Sequence, residues 1–354
     1  MPQNVFHAWK SVIRSGLILT LLSLIASSLV QTVDAAPTRK PVKLIFDTDM
    51  GNDIDDALAL ALIHALQDRG ECELLAVTIT KDNPHAAAFC DLVNTFYGRG
   101  NIPIGKVVDG KTPNEGGFVG KVANAADRGK QRYHHNLLAA GAIPNAATVL
   151  REVLAKQEDG STVIVQVGFS TNLARLLSSK PDSISPLDGK SLIAKKVRLL
   201  SVMGGYFGSQ PRKGFGEYNI KIDLPASKKL VQDWPGDIVF SGYEIGLAIQ
   251  YPAVSIANDY NSVKYHPVRE AYKYYQNFPY DRATWDLTSV LYAVRPEREY
   301  FALSDRGRVS IAGNASTAFF KAAQGKHRFL IASPQQVIRV RETFVHLCSQ
   351  PPKK

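Results

Sequence analysis

From residue 41 onward the apolar positions fall into two alternating patterns. Short, almost wholly apolar runs bounded by turn residues, "VKLIF" (42–46), "ELLAVTIT" (73–80), the brief "IPIG" (102–105), "TVIVQVG" (162–168), "VRLLSV" (197–202) and "GDIVFSG" (236–242), read as buried strands. Between several of them the apolar residues recur at helical spacing, over 55–69, 84–98, 146–157 and 171–178. Strand and helix in turn imply an α/β domain on an open, mostly parallel sheet with flanking helices. A polar, glycine-rich loop interrupts the rhythm at 108–134, and a loop of that length in a compact domain is expected to be functional or disordered. After residue 255 the pattern is mixed, with two helical stretches and short strands at "RVSI" (308–311) and "HRFLIA" (327–332). No repeat or low-complexity linker divides the chain, so 40–354 reads as one domain.

The first 35 residues follow a different pattern. Lys10 and Arg14 precede "GLILTLLSLIASSLV", and "VDAA" offers small residues for cleavage after Ala35 or Ala36. This is the layout of a secretory signal peptide. As a membrane anchor the stretch falls short of the ~20 apolar residues that a bilayer span needs. A secreted or periplasmic location is therefore expected, with no membrane partner after cleavage. Cys72, Cys90 and Cys348 are too few and too widely spaced for a disulfide framework or a zinc site. The net charge of +10 is spread along the chain without a basic block, which argues against nucleic acid as a partner.

The candidate chemistry lies in "KLIFDTDMGNDIDDALALALIHAL" (43–66), where Asp47, Asp49, Asp53, Asp55 and Asp56 crowd the junction between the first strand and the first helix. Open α/β sheets bind their ligands at the carboxyl ends of their strands. Five carboxylates there cannot all stay ionised without a cation, because like charges at contact distance raise one another's pKa. Oxygen donors without nearby Cys or His favour Ca²⁺ or Mg²⁺ over zinc. Part of the cluster, Asp53 in particular, could instead cap the helix. An EF-hand loop is excluded, since Asn52 and Leu58 stand where glycine and glutamate are required. A phosphatase of the haloacid dehalogenase type shares the strand and Asp-x-Asp opening but lacks the following Gly-Thr.

"FDTDMGNDIDDALAL" resembles the amino-terminal signature of the inosine-uridine preferring nucleoside hydrolases, with Met50 in place of the usual proline and two extra residues in the turn. Four further motifs follow in that family's order: "LLAVTITKDN" ending at Asn83, "VGFSTNLA" around Thr171, "VMGGYFG" followed by "GEYNIKID", and "WDLTSVLYAV" around Asp286. The resemblance covers about residues 42–345 and implies a Rossmann-like fold with mixed C-terminal additions. It also implies hydrolysis of the N-glycosidic bond of a ribonucleoside through an oxocarbenium-like transition state. Carried over residue by residue, it implies a Ca²⁺ held by Asp49, Asp56, the Thr171 carbonyl and Asp286, with Asp49 also the general base. Asp55, Asn83, Glu217 and Asn219 would hold ribose hydroxyls, and Met203 would floor the sugar pocket.

Plain structural readings stand beside these roles. Asn83 before Pro84 could only start a helix, Thr171-Asn172 could only cap one, and Asp286 could be a buried cap. One departure bears on mechanism: the family's usual His-Asp pair is Trp285-Asp286 here. An indole cannot supply a catalytic proton but can stack on a base, so Trp285 is expected to be a purine platform, with the proton coming from solvent, Tyr274, Tyr275 or His266. The expected partner is a small nucleoside, and a homo-oligomer is left open. The alternatives are a nucleoside- or ribose-binding protein without turnover and a Mg²⁺-dependent phosphohydrolase.

Overall fold

The computed structural model describes residues 40–353 apart from 136, 138–142 and 211; the expected signal peptide lies outside the described residues. From Pro41 onward the chain forms one compact unit. Its centre is a parallel sheet of β1 (Val42–Thr48), β2 (Cys72–Lys81), β3 (Ile104–Lys111), β4 (Thr162–Gln166), β5 (Val197–Met203) and β6 (Ile238–Ser241). The strand order is β3-β2-β1-β4-β5-β6, the order of a doubly wound dinucleotide-type fold, with the reversal of direction between β1 and β4. Four later strands, β7 (Ala302–Leu303), β8 (Gly307–Ile311), β9 (Thr317–Lys321) and β10 (His327–Ile331), widen the sheet beyond β6. Strand β10 runs parallel to β6, while β7, β8 and β9 are antiparallel additions.

The central strands are apolar throughout because both faces of the sheet are covered. In β1, Leu44 and Phe46 join one core and Ile45 the other, all without solvent exposure. On the first face lie α1 (Asp55–Asp68) and α2 (Ala86–Phe96), and on the second α3 (Ala146–Ala155) and α4 (Thr171–Ser178). A short helix, α5 (Tyr218–Ile222), follows β5; α6 (Trp285–Val294) and α7 (Pro334–Cys348) pack against α1. Helix α1 is buried over nearly its whole length, which explains why its apolar residues encircle it instead of forming a stripe. Cys72, Cys90 and Cys348 are free thiols in the core.

The sequence and the structure differ at the edges. Strand β3 runs on to Lys111, into the expected loop, because it is an edge strand whose one strand partner is β2 and tolerates polar residues there. The rest of 108–134 contains a helical turn (Val119–Ala123) and a two-residue hairpin, and it is packed across the acidic turn: a Cβ on Gly116 would lie 1.5 Å from the Gly51 carbonyl oxygen. Among the described residues no helix is long and apolar enough to cross a membrane.

Candidate active site

The carboxyl ends of β1 and β4 meet at the switch in strand order, and the backbone there is tightly packed. The Val167 N–H donates to the Asp47 carbonyl at 2.7 Å. A Cβ on Gly168 would come within 2.5 Å of the Asp49 nitrogen and 2.4 Å of Thr80 Oγ1, so only glycine lets the strand ends approach this closely. Above this junction opens a cleft of about 380 Å³, in the size range of small-molecule sites.

One side of the cleft is acidic. Asp55 and Asp56 open α1, Asp286 opens α6, and one carboxylate oxygen from each lies within 4.8 Å of the others. The Asp286 N–H donates to Asp55 Oδ2 at 3.1 Å, which ties the two helix starts together. Thr48 Oγ1 donates to Asp56 Oδ1, while Asp56 Oδ2 is buried without a partner. Burial holds all three carboxyls well above the usual carboxylate range, and repulsion among the aspartates of the cluster, Asp49 and Asp53 included, adds to this. Three buried oxygen donors, one of them unpartnered, fit a hard divalent cation, whose charge would reverse that shift. Asp49 lines the same cleft outside this trio. Burial pushes its carboxyl up to about 6, against the opposing effects of a 2.7 Å hydrogen bond from Asn52 Nδ2 and the nearby Lys81 ammonium.

The opposite wall comes from β4, β5 and α5. Met203 ends β5, and the Asn219 amide is anchored to the Val167 carbonyl at 2.7 Å and to Met203 Sδ at 3.2 Å. The Glu217 carboxylate caps α5, accepting from the N–H groups of Asn219 (2.9 Å), Ile220 (3.1 Å) and Gly205 (3.3 Å). Burial raises it to about 7 in spite of these bonds. Both residues line the cleft.

The remaining expected site residues make the following contacts. Asn83 is not in the cleft wall: its Oδ1 accepts from the N–H groups of His85 and Ala86 at the start of α2, and its Nδ2 donates to the Asn114 carbonyl. Thr171 opens α4, and its hydroxyl donates to Asp223 Oδ2 at 2.5 Å. Asp53 is not the cap of α1, which begins after Ile54; its carboxylate is drawn away by an ion pair with Arg282. His266 is enclosed by Phe96, Tyr97 and Tyr260 and is kept neutral by burial, far from any proton-donor role. Trp285 does line the cleft, but its ring is stacked on Tyr243 (5.5 Å) and its Nε1 donates to the Tyr243 carbonyl at 2.8 Å.

Sequence reasoning assigned no site role to Asn52, Lys81, Tyr243 or Arg282. Lys81 carried a signal, a lysine closing an apolar strand: it has no solvent exposure, and its Nζ donates to Asn52 Oδ1, the Thr112 carbonyl and Asn114 Oδ1 at 2.6–2.7 Å.

The family model of the inosine-uridine preferring nucleoside hydrolases matches residues 44–334. No curated protein matches the chain in sequence. Among solved structures it is similar to the inosine-uridine preferring nucleoside hydrolase from Bacillus anthracis, at 17% identity and a TM-score of 0.61 over 87% of this chain and 99% of that one. The purine-preferring ribonucleoside hydrolase from Gardnerella vaginalis aligns at 17% identity and a TM-score of 0.63, over 87% and 98%. The type III effector protein XopQ, solved with adenosine diphosphate ribose, aligns at 14% identity and a TM-score of 0.63, over 89% and 95%. Likenesses at such identities carry the fold, and the match over 44–334 carries the kinship: the chain belongs to the inosine-uridine preferring nucleoside hydrolase family.

Proposed function

We propose that the protein is an exported, Ca²⁺-dependent ribonucleoside N-ribohydrolase, releasing ribose and free base. The observation that carries this reading is the buried trio Asp55, Asp56 and Asp286 with its unpartnered Asp56 oxygen, in one cleft with Asp49, Glu217 and Asn219. Asp49, Asp56, Asp286 and the Thr171 carbonyl are the proposed Ca²⁺ ligands, with Asp55 close enough to share the ion or to turn to the sugar. When bound, the ion would lower the pKa of a water and fix the ribose diol.

The chain's own residues have separable tasks. Asn52 pins Asp49 Oδ2, so the Asp49 carboxylate is held in one orientation to take the proton of the attacking water. Asn219, with its amide anchored at Val167 and Met203, and Glu217, fixed by three backbone N–H groups, are the proposed grips on the ribose hydroxyls. Negative charge on Glu217 also favours the cationic sugar of the transition state. Met203 floors the sugar pocket, and Trp285 with Tyr243 forms the aromatic wall for the base.

The test is a panel of ribonucleosides assayed for reducing sugar with and without EDTA. Release that is abolished by EDTA, restored by Ca²⁺ and lowered by two or more orders of magnitude in Asp49→Asn is the expected result. Ligand binding without release of base would make the protein a binder. Phosphate release from a generic phosphoester with Mg²⁺, and no sugar release, would make it a phosphohydrolase.

A further inference from the structure

The hydrolase reading leaves the departing base without its proton donor. A purine or pyrimidine leaves with the electron pair of the broken C1′–N bond, and the histidine that commonly precedes the aspartate of the fifth motif is Trp285 here, with its Nε1 committed to the Tyr243 carbonyl. Two of the other expected donors, His266 and Tyr274, are removed by the structure. His266 is sealed in its aromatic cage, and Tyr274 faces solvent under Lys121, outside the cleft.

A different pair stands beside the indole. Arg282 Nε donates to Asp53 Oδ1 at 2.9 Å, and Nη2 is bonded to Asp53 Oδ2 and donates to the Tyr275 hydroxyl oxygen at 3.1 Å. The guanidinium lies 5.3 Å from the Trp285 ring centre and 5.1 Å from that of Tyr275. Asp53, Tyr275, Arg282 and Trp285 all line the cleft that holds Asp49. We propose that Tyr275, oriented by Arg282, is the acid that protonates the leaving base, in the place left by the family histidine.

This proposal rests on the nucleoside hydrolase reading and adds a residue to it. Arg282 donates to the phenol oxygen and Asp53 shares a hydrogen bond with the hydroxyl, so the phenol hydrogen turns from Asp53 to the base, and the same cation faces the oxygen on which charge then appears. Tyr218 and Tyr243 also line the cleft, but among the described residues neither hydroxyl receives a hydrogen bond from a cation. The atoms balance as follows. Water oxygen adds to C1′ as the C1′–N bond breaks, and one water proton goes to Asp49. The Tyr275 proton passes to a ring nitrogen of the base, and the phenolate regains a proton from solvent while Asp49 loses one. Burial raises the Tyr275 phenol above its ordinary value, so the hydroxyl remains protonated across the neutral range.

The experiment compares two leaving groups on the full chain with Ca²⁺. Inosine needs a proton on its base, whereas 4-nitrophenyl β-D-riboside releases a stable anion that needs none. Tyr275→Phe is expected to lower kcat on inosine by about 10²-fold or more while changing the nitrophenyl riboside by less than about threefold. Arg282→Gln should behave in the same direction, with the loss in kcat and not in KM. Equal losses on both substrates would mean that Tyr275 only shapes the cleft, and undiminished inosine turnover would mean that the proton comes from elsewhere; either overturns the proposal. An unmodified protein that cleaves neither substrate would remove the hydrolase reading first, and the proposal with it.

Discussion

Replacing Lys81 by methionine asks whether the acidic turn is held in place from behind. Methionine follows much of the path of the lysine stem, so the change removes the ammonium and little packing. Three hydrogen bonds go with it, to Asn52 Oδ1, the Thr112 carbonyl and Asn114 Oδ1. A hydrogen bond to a charged group contributes about 1.5–3 kcal/mol net. Against that stands the relief of no longer keeping an ammonium out of water, itself several kcal/mol. The balance is a loss of about 2–4 kcal/mol, since three part-buried acceptors lose a charged donor. Function should suffer separately. Asn52 is the group that orients Asp49, at 2.7 Å, and once its own carbonyl is unpartnered the amide is held in place only by Asp49 and, at 3.2 Å, by Thr112 Oγ1. A misplaced base costs on the order of 10- to 100-fold in turnover. Urea unfolding followed by tryptophan fluorescence gives the first quantity and steady-state hydrolysis of inosine the second. A midpoint shift worth less than about 0.5 kcal/mol, the scatter of ordinary surface substitutions, together with full activity, would show that Lys81 is incidental to the turn.

The acidic trio should bind about one Ca²⁺ per chain tightly, and Asp56→Ala should lose it in a calorimetric titration. In EDTA the protein should become less stable as pH rises from about 5 to about 7. Asp47, Asp49 and Glu217 are raised by burial to about 7, 6 and 7, so the folded state holds more protons than the unfolded chain in that window. Excess Ca²⁺ should flatten or reverse the trend, and a melting temperature that climbs with pH in EDTA would contradict this account. Gly168→Ala should destabilise the protein by about 1–3 kcal/mol or more and depress activity, because the new methyl meets the Asp49 backbone and Thr80 at once. Thermal unfolding and turnover of the purified variant measure the two effects.

What the sequence made legible follows from burial. Strands β1, β2, β4 and β5 are apolar on both faces, and α1 is apolar around its circumference, so their patterns are strong. The helix Gly189–Lys196 has only Leu192 and Ile193 to bury on its apolar side, and the β9 strand "TAFFK" lies at the sheet edge with little burial. Neither leaves much periodicity to read. The aspartates were conspicuous because like charges at a strand end require a cause. Arg282 was not, because what gives it meaning is Asp53, 229 positions away in the chain. The motif around Asn83 suggests a sugar contact, and pattern alone did not show that its side chain also starts a helix and fastens the loop at Asn114.

The position of β1 between β2 and β4 also bears on the order in which the molecule assembles. The acidic trio is complete only when Asp286 reaches Asp55, 231 positions earlier, and Asp47 Oδ1, which accepts from Thr78, gains its second donor from Asn172, 125 positions later. Closing such distances consumes chain entropy before any contact rewards it, and the carboxylates repel one another until a cation joins them. The cleft is therefore expected to form late and to loosen early, so that its ligands slow unfolding more than they speed folding.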